Sequence, residues 1–319
     1  MTHTSAPSDL VSVVVPCYCE AAGLAAAVDQ IRGALEASAV AYEIILVDDG
    51  SSDATWTCIT ALRAHLGHRV RGIRLSRRFG KESAMRAGLE MARGTAVITM
   101  DADLQHPPAL IPAMVERWQR GDVDVIDAVK VERGRESGAS RVSASLFYRL
   151  FRALTRRDLR NASDFKLLSR KVVTSYLALP EHSLFYRAMV GWLGFRHAEV
   201  PFAVDERNEG TSKWGPLTLL RLALNAVTAH SAAPLHAVTL LGLAFLVLSV
   251  ALWAQTLYNK IVGNAVSGFT TVILLLLVTG SAIMVALGVI GEYIARIYDE
   301  VKGRHRFVIA DALPDDAHD

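Results

Sequence analysis

Thr95-Ala-Val-Ile-Thr-Met-Asp101-Ala-Asp103-Leu-Gln105-His106-Pro107-Pro108 decides the fold. Its first half, Ala96–Met100, is a short uncharged run, the pattern of a strand buried on both faces. Two carboxylates follow at once, and two prolines then open a helix expected over Pro107–Arg120. The same form occurs twice upstream. Val11–Val15 runs into Pro16-Cys-Tyr-Cys-Glu20, and Glu43–Val47 runs into Asp48-Asp-Gly-Ser-Ser-Asp53. Between these runs lie helical stretches, Ala21–Ala37, Asp53–Leu66 and Lys81–Ala92, the last read as ending at a C-capping Gly94. Val70–Leu75 and Val123–Val129 are further strands. Strands alternating with helices define an α/β domain with a mostly parallel sheet and helices on both faces. In an open sheet of this kind ligands bind beyond the carboxyl ends of the strands, so the three polar clusters should meet at one edge.

Asp101 and Asp103 can converge there on one hard cation, the kind of ion that neutralises a departing nucleoside diphosphate. A lone Asp-x-Asp is usually a solvated turn; the two polar clusters that precede it in order change that reading.

Farther along, the composition shifts. The chain has 319 residues, 51% of them apolar, and a mean hydropathy of +0.27, with most of the excess after Pro234. Ala237–Tyr258 (22 residues) and Phe269–Gly291 (23 residues) contain no charge. At about 1.5 Å per residue each can cross a bilayer core of roughly 30 Å. Trp253 and Tyr258 suit an interface, and the intervening loop carries only Lys260. Arg221 on one flank and Arg296, Lys302, Arg304 and Arg306 on the other put both ends of this hairpin in the cytoplasm by the positive-inside rule. No signal-peptide pattern opens the chain, so the N-terminus is expected there too. Eight arginines lie between Arg133 and Arg160, and within Ser140–Arg157 the apolar residues Leu146, Phe147, Leu150, Phe151 and Leu154 form one helical stripe. This basic amphipathic helix, and a second candidate at Leu217–Val227, are expected on the membrane surface. A net charge of +2 gives no reason to expect nucleic acid. Cys17, Cys19 and Cys58 make no disulfide framework and no zinc pattern.

Arg207-Asn-Glu-Gly-Thr-Ser-Lys213 is a polar loop shortly before the first apolar segment. Arginine offers a planar fork and lysine a point charge for phosphate oxygens.

Taken together, VVVPCYCE (13–20), VDDGSSDAT (47–55), SRRFGKESAMRAGL (76–89), MDADLQHPP (100–108), SDFKLLSR (163–170), ERNEGTSKW (206–214) and GVIGEYIARIYDEVKGR (288–304) resemble the inverting family 2 glycosyltransferases of GT-A fold. More narrowly, the chain resembles the polyprenyl-phosphate group, which includes dolichol-phosphate mannose synthase and bactoprenol glucosyltransferases. The resemblance implies a Rossmann-like GT-A domain over 11–213 after a tail at 1–10. A juxtamembrane interface helix at 214–234, two transmembrane helices at 235–295 and a cytoplasmic tail at 296–319 follow. It implies that Pro16, Tyr18, Glu20, Asp49, Gly80, Lys81, Asp101 and Gln105 bind the donor, and that Asp101 and Asp103 hold Mg²⁺ or Mn²⁺. Asp103, Asp164, Arg207 and Lys213 would serve catalysis, with Arg207, Ser212 and Lys213 on the acceptor phosphate. The expected partners are a nucleotide-sugar donor, a polyprenyl phosphate and membrane lipids, with a homo-oligomer as one arrangement. The family usually has Asn where this chain has Cys19. A processive polysaccharide synthase would carry Gln-x-x-Arg-Trp, whereas Met114 precedes Arg117-Trp118 here. A non-catalytic scaffold would have lost the acidic pair, and one two-helix hairpin is a thin basis for a flippase.

Overall fold

The structure is a computed structural model that describes residues 10–130, 163–181, 186–202, 233–262 and 268–313. It divides into two units, one built on a sheet and one containing two long helices.

The sheet unit begins with strand β1 (Leu10–Cys17), helix α1 (Leu24–Ala37), β2 (Ala41–Asp48), α2 (Thr55–Leu66), β3 (Val70–Leu75), α3 (Lys81–Met91) and β4 (Ala96–Thr99). A 3₁₀ turn at Pro108–Leu110 leads into α4 (Ile111–Gln119), then β5 (Val125–Lys130), β6 (Lys166–Ser169), α5 (Arg170–Leu177), α6 (Tyr186–Trp192) and β7 (His197–Phe202). A last strand, β8 (Ile309–Ala312), closes the sequence order. The eight strands lie in the order β7-β5-β6-β4-β1-β2-β3-β8. The centre, β4-β1-β2-β3, is parallel, while β6 runs antiparallel to both β4 and β5.

Alternation along the central strands builds two cores. Val11, Val13 and Val15 with Ile44 and Leu46 face α1, α2 and α4, whereas Val14, Ile45 and Val47 face α3 and α5. Helix α3 comes very close to the sheet, since a Cβ on Gly88 would lie 2.3 Å from Val14 Cγ1. Gly94 is not a cap as expected. The helix ends at Met91, and a Cβ on Gly94 would fall 2.6 Å from the Leu10 carbonyl, so the glycine is there for close backbone approach.

The C-terminal segment differs from its expectation as a tail. Residues 306–313 belong to the sheet unit. Strand β8 pairs antiparallel with β3, the Leu313 N–H donates to the Gly72 carbonyl at 2.9 Å, and the Ser76 N–H donates to the Val308 carbonyl at 2.8 Å. Arg306 donates to the carbonyls of Leu179 and Glu181. Phe307 and Leu313 pack on opposite cores.

In the second unit, α7 (Ala233–Ile261) and α8 (Phe269–Val301) pack against each other. Both are long and apolar enough to cross a membrane, with mean hydropathy 2.1 over Val238–Ile261 and 1.6 over Val278–Val301. Among the described residues no part of either apolar window is buried. The two surface-helix candidates, Ser140–Arg157 and Leu217–Val227, lie outside the described residues.

Candidate active site

The carboxyl ends of β1, β2 and β4 deliver their polar clusters to one open pocket of about 230 Å³. Its walls are Pro16, Cys17, Tyr18, Glu20, Asp49, Arg78, Lys81, Ala84, Asp101, Ala102 and Asp103. Seven of the predicted residues thus meet: Pro16, Tyr18, Glu20, Asp49, Lys81, Asp101 and Asp103. Gly80 joins through its backbone N–H, which donates to Asp49, and the Gln105 backbone N–H donates to Asp103 Oδ1 at 3.1 Å. Asp164 joins through Lys81. Arg207, Ser212 and Lys213 lie outside the described residues.

The loop from β3 to α3 is fastened by Asp49. Its two oxygens accept the backbone N–H groups of Phe79, at 2.7 Å, and Gly80, at 2.9 Å. Burial pushes the Asp49 carboxyl up, and these two bonds pull against that push. Gly50 has φ +64°, and a Cβ there would lie 2.4 Å from the Arg77 carbonyl carbon, so only glycine lets the two loops touch. The fastened loop presents Arg78, whose guanidinium stands 4.2 Å from the centre of the Tyr18 ring. Sequence reasoning missed Arg78, although it sits in one of the motifs that carried the resemblance.

Cys19 has φ +57°. The left-handed region disfavours most side chains and favours asparagine, which gives a backbone reason for the family's Asn at this position. The Cys19 N–H donates to Ser51 Oγ at 2.9 Å, and this bond joins the first cluster to the second. Leu104, within the acidic turn, also has positive φ, +56°.

Electrostatically the pocket is acidic. Burial, then the charges of Asp103, Asp53 and Asp101, raise the Glu20 carboxyl above its ordinary range. That mutual repulsion is what a bound cation would relieve. Among the described residues no three His, Cys, Asp or Glu side chains form a ready-made metal cage. Asp101 and Asp103 offer two hard oxygen ligands, which fits an ion that takes its remaining ligands from phosphate and water.

Beside this pair lies an ion network that the sequence reading did not foresee. The Lys81 ammonium contacts Asp101 Oδ1 at 2.6 Å and Asp164 Oδ2 at 2.5 Å. Arg187, on α6, grips Asp164 at two points, Nε to Oδ1 at 2.6 Å and Nη2 to Oδ2 at 2.8 Å. Burial alone would raise the Asp164 carboxyl; the Arg187 bonds and the Lys81 charge reverse this and hold it at about 2. No local signal marks Arg187, which follows a stretch without a recognisable motif.

A Rossmann-like sheet with an acid pair past β4 and an open pocket past β1 and β2 is the arrangement of the GT-A glycosyltransferases. The family model "Glycosyl transferase family 2" matches residues 12–177, and the chain belongs to that family. It is 36% identical over 301 residues to the SfII prophage-derived bactoprenol glucosyl transferase of Shigella flexneri, covering 94% of this chain and 97% of that one. It is also 36% identical to an uncharacterized glycosyltransferase of Synechocystis sp., with 94% of each chain covered. Among solved structures, the glucosyl-3-phosphoglycerate synthase of Mycobacterium tuberculosis shares the fold, with TM-score 0.52 and 20% identity over 70% of this chain and 80% of that one.

Proposed function

We propose that this glycosyltransferase moves a hexose from a UDP- or GDP-sugar onto a polyprenyl phosphate, with inversion and with a divalent ion, at the cytoplasmic face of a membrane. The observation that carries this reading is the match to a bactoprenol glucosyl transferase over 94% of the chain, a share that leaves no room to omit both apolar helices.

The site chemistry agrees with such an acceptor. A phosphate monoester has a second pKa of about 6 and arrives near neutral pH mostly as a dianion. It needs no strong general base. Asp164, held at about 2 by two cations, is a poor base and a good anchor. The demanding steps are bringing two anions together and stabilising the departing diphosphate. Asp101 and Asp103 would hold Mg²⁺ or Mn²⁺, which would supply positive charge for that departing group. The Tyr18 ring and the Arg78 guanidinium offer a stacking surface for the nucleobase. Arg207, Ser212 and Lys213 are assigned to the acceptor phosphate, and one acceptor oxygen attacks the anomeric carbon in line with the leaving diphosphate.

The membrane orientation draws support from chain connectivity. The chain leaves the sheet unit after β7 and returns to the same sheet at β8. A membrane crossed at α7 is therefore crossed back at α8, in keeping with the expectation that the loop Lys260–Ser267 is outside. A cysteine at Asn264, on a background in which the native cysteines are silent, should react with an impermeant thiol reagent from outside the cell.

The test of function is direct. Purified full-length protein is incubated with a panel of nucleotide-sugars and undecaprenyl phosphate, and lipid-linked sugar is sought by mass spectrometry. One sugar should transfer with inverted anomeric configuration. No product from any donor, or a retained configuration, rejects the reading.

A further inference from the structure

Asp164 and Asp101 carry two negative charges, Lys81 and Arg187 two positive ones, and the four groups form one chain of contacts. Asp164 is almost wholly buried, with 6% of its side chain exposed, and its carboxylate must be compensated where it stands. Two cations share that task, but unequally. Arg187 meets both oxygens in a planar fork, whereas Lys81 meets only one and divides itself between Asp164 and Asp101.

The framework under Arg187 is built to keep it there. The neighbouring Tyr186 is fully buried, and its hydroxyl lies 2.8 Å from Thr99 Oγ1. Thr99 Oγ1 in turn donates to the Asp164 carbonyl at 2.6 Å. The Tyr186 N–H donates to Glu82 Oε2 at 3.0 Å, and Glu82 is the residue after Lys81. The start of α6, the start of α3, the end of β4 and the Asp164 backbone are thus fixed to one another through bonds that bypass the charges themselves.

We infer that Arg187 is a positioning residue for donor binding. By neutralising Asp164 at two points it weakens that carboxylate's hold on the Lys81 ammonium, so that an incoming diphosphate can draw Lys81 to itself beside Asp101. Arg187 itself does not touch the donor; its Nε and Nη2 are both committed to Asp164. Without it, the whole charge of Asp164 claims Lys81, and the four-group set passes from neutral to net negative in front of an incoming dianion. This rests on the proposed donor chemistry only as far as a nucleoside diphosphate in this pocket, and says nothing about the acceptor.

The experiment is a titration of full-length protein with UDP and with UMP, both with Mn²⁺, and with GDP and GMP if the wild type prefers them. Arg187→Gln should weaken the diphosphate about tenfold, the loss of roughly one charge-assisted contact, and leave the monophosphate unchanged. Arg187→Lys should fall between that variant and the wild type. Adding Asp164→Asn to Arg187→Gln should restore diphosphate affinity, because no buried carboxylate remains to claim Lys81. A double variant as weak as Arg187→Gln would mean that Arg187 meets the diphosphate directly and overturns the inference. Equal weakening of mono- and diphosphate would mean a merely structural role and also overturns it. A wild type that binds UDP with Mn²⁺ but makes no lipid-linked sugar would reject the proposed acceptor and leave this inference standing. A wild type that binds neither nucleotide rejects both.

Discussion

The carbonyl of Val308 accepts the backbone N–H of Ser76 at 2.8 Å, across 232 positions of sequence that include both long apolar helices. Ser76 is the first residue after β3, and the loop it begins carries Arg78 and leads into Lys81 at the start of α3. The chain that follows α8 therefore supports the strand from which part of the pocket grows.

A chain ending at Gly303 should consequently lose more than a tail. It would expose the β3 edge and withdraw Phe307 and Leu313 from the two cores. Each large apolar side chain is worth about 1.5–3 kcal/mol when fully buried, so the melting temperature should fall by roughly 5–10 °C. A chain ending at Leu313 should melt like the full one. Thermal denaturation of both decides this, and equal melting temperatures would show that β8 is dispensable.

The acidic pair gives the next expectation. Asp103→Ala should lower sugar transfer by about a hundredfold or more, as expected when a metal ligand is lost, with the fold intact by circular dichroism. Excess chelator should reproduce the loss in the wild type. Full turnover in chelator would rule out the metal.

For Asp164 the sign of the pH effect can be worked out. Its carboxyl sits at about 2 in the folded protein, below the ordinary value of 3.8. A depressed carboxylate contributes stability that is complete above the unfolded-state pKa and is lost as pH falls from there to about 2, with a size on the order of 2 kcal/mol. Asp164→Asn should therefore show shallower acid unfolding over that window. Its transfer defect should stay constant from pH 6 to 9, since the wild-type group is ionised throughout. Recovery of the variant's activity with rising pH would make Asp164 a base after all.

Tyr18 and Arg78 should act on the base of the donor. Stacking on an aromatic ring is worth about 1–3 kcal/mol per base, so Tyr18→Ala should raise the donor KM about tenfold with kcat little changed. Tyr18→Phe should behave as wild type. Steady-state kinetics with the donor varied separates these outcomes.

Cys19 adds a test of backbone strain. At φ +57° an asparagine is better tolerated, so Cys19→Asn should stabilise the protein by about 0.5–1 kcal/mol. Chemical denaturation measures this, and a less stable variant would mean that the thiol contributes where it stands.

How much of this was legible in the sequence follows from the range of the forces involved. Three strands of the parallel centre, β1, β2 and β4, were legible because burial on both faces demands apolar runs, and such runs precede each polar cluster. The pocket was legible because strand order alone brings the carboxyl ends of β1, β2 and β4 to one edge. Pro16, Tyr18, Glu20, Asp49, Asp101 and Asp103 belong to such ends, while Lys81 came with the motifs of the resemblance. The two apolar helices were legible from length and absence of charge.

What only the tertiary structure decided depends on partners distant in sequence. Strand β8 is four residues, Ile-Ala-Asp-Ala, with all four exposed; nothing in it resembles a buried strand, and its place comes from the free edge of β3. Gly94 reads locally as a helix stop, but its requirement comes from the Leu10 backbone 84 positions away. Arg187 and Lys81 stand 23 and 83 positions from Asp164, and only the folded chain brings the three charges together. Local pattern determines which segments must be buried and which ends are polar. Which charge neutralises which is settled by packing, because a buried carboxylate takes its partners from whatever elements the fold sets beside it.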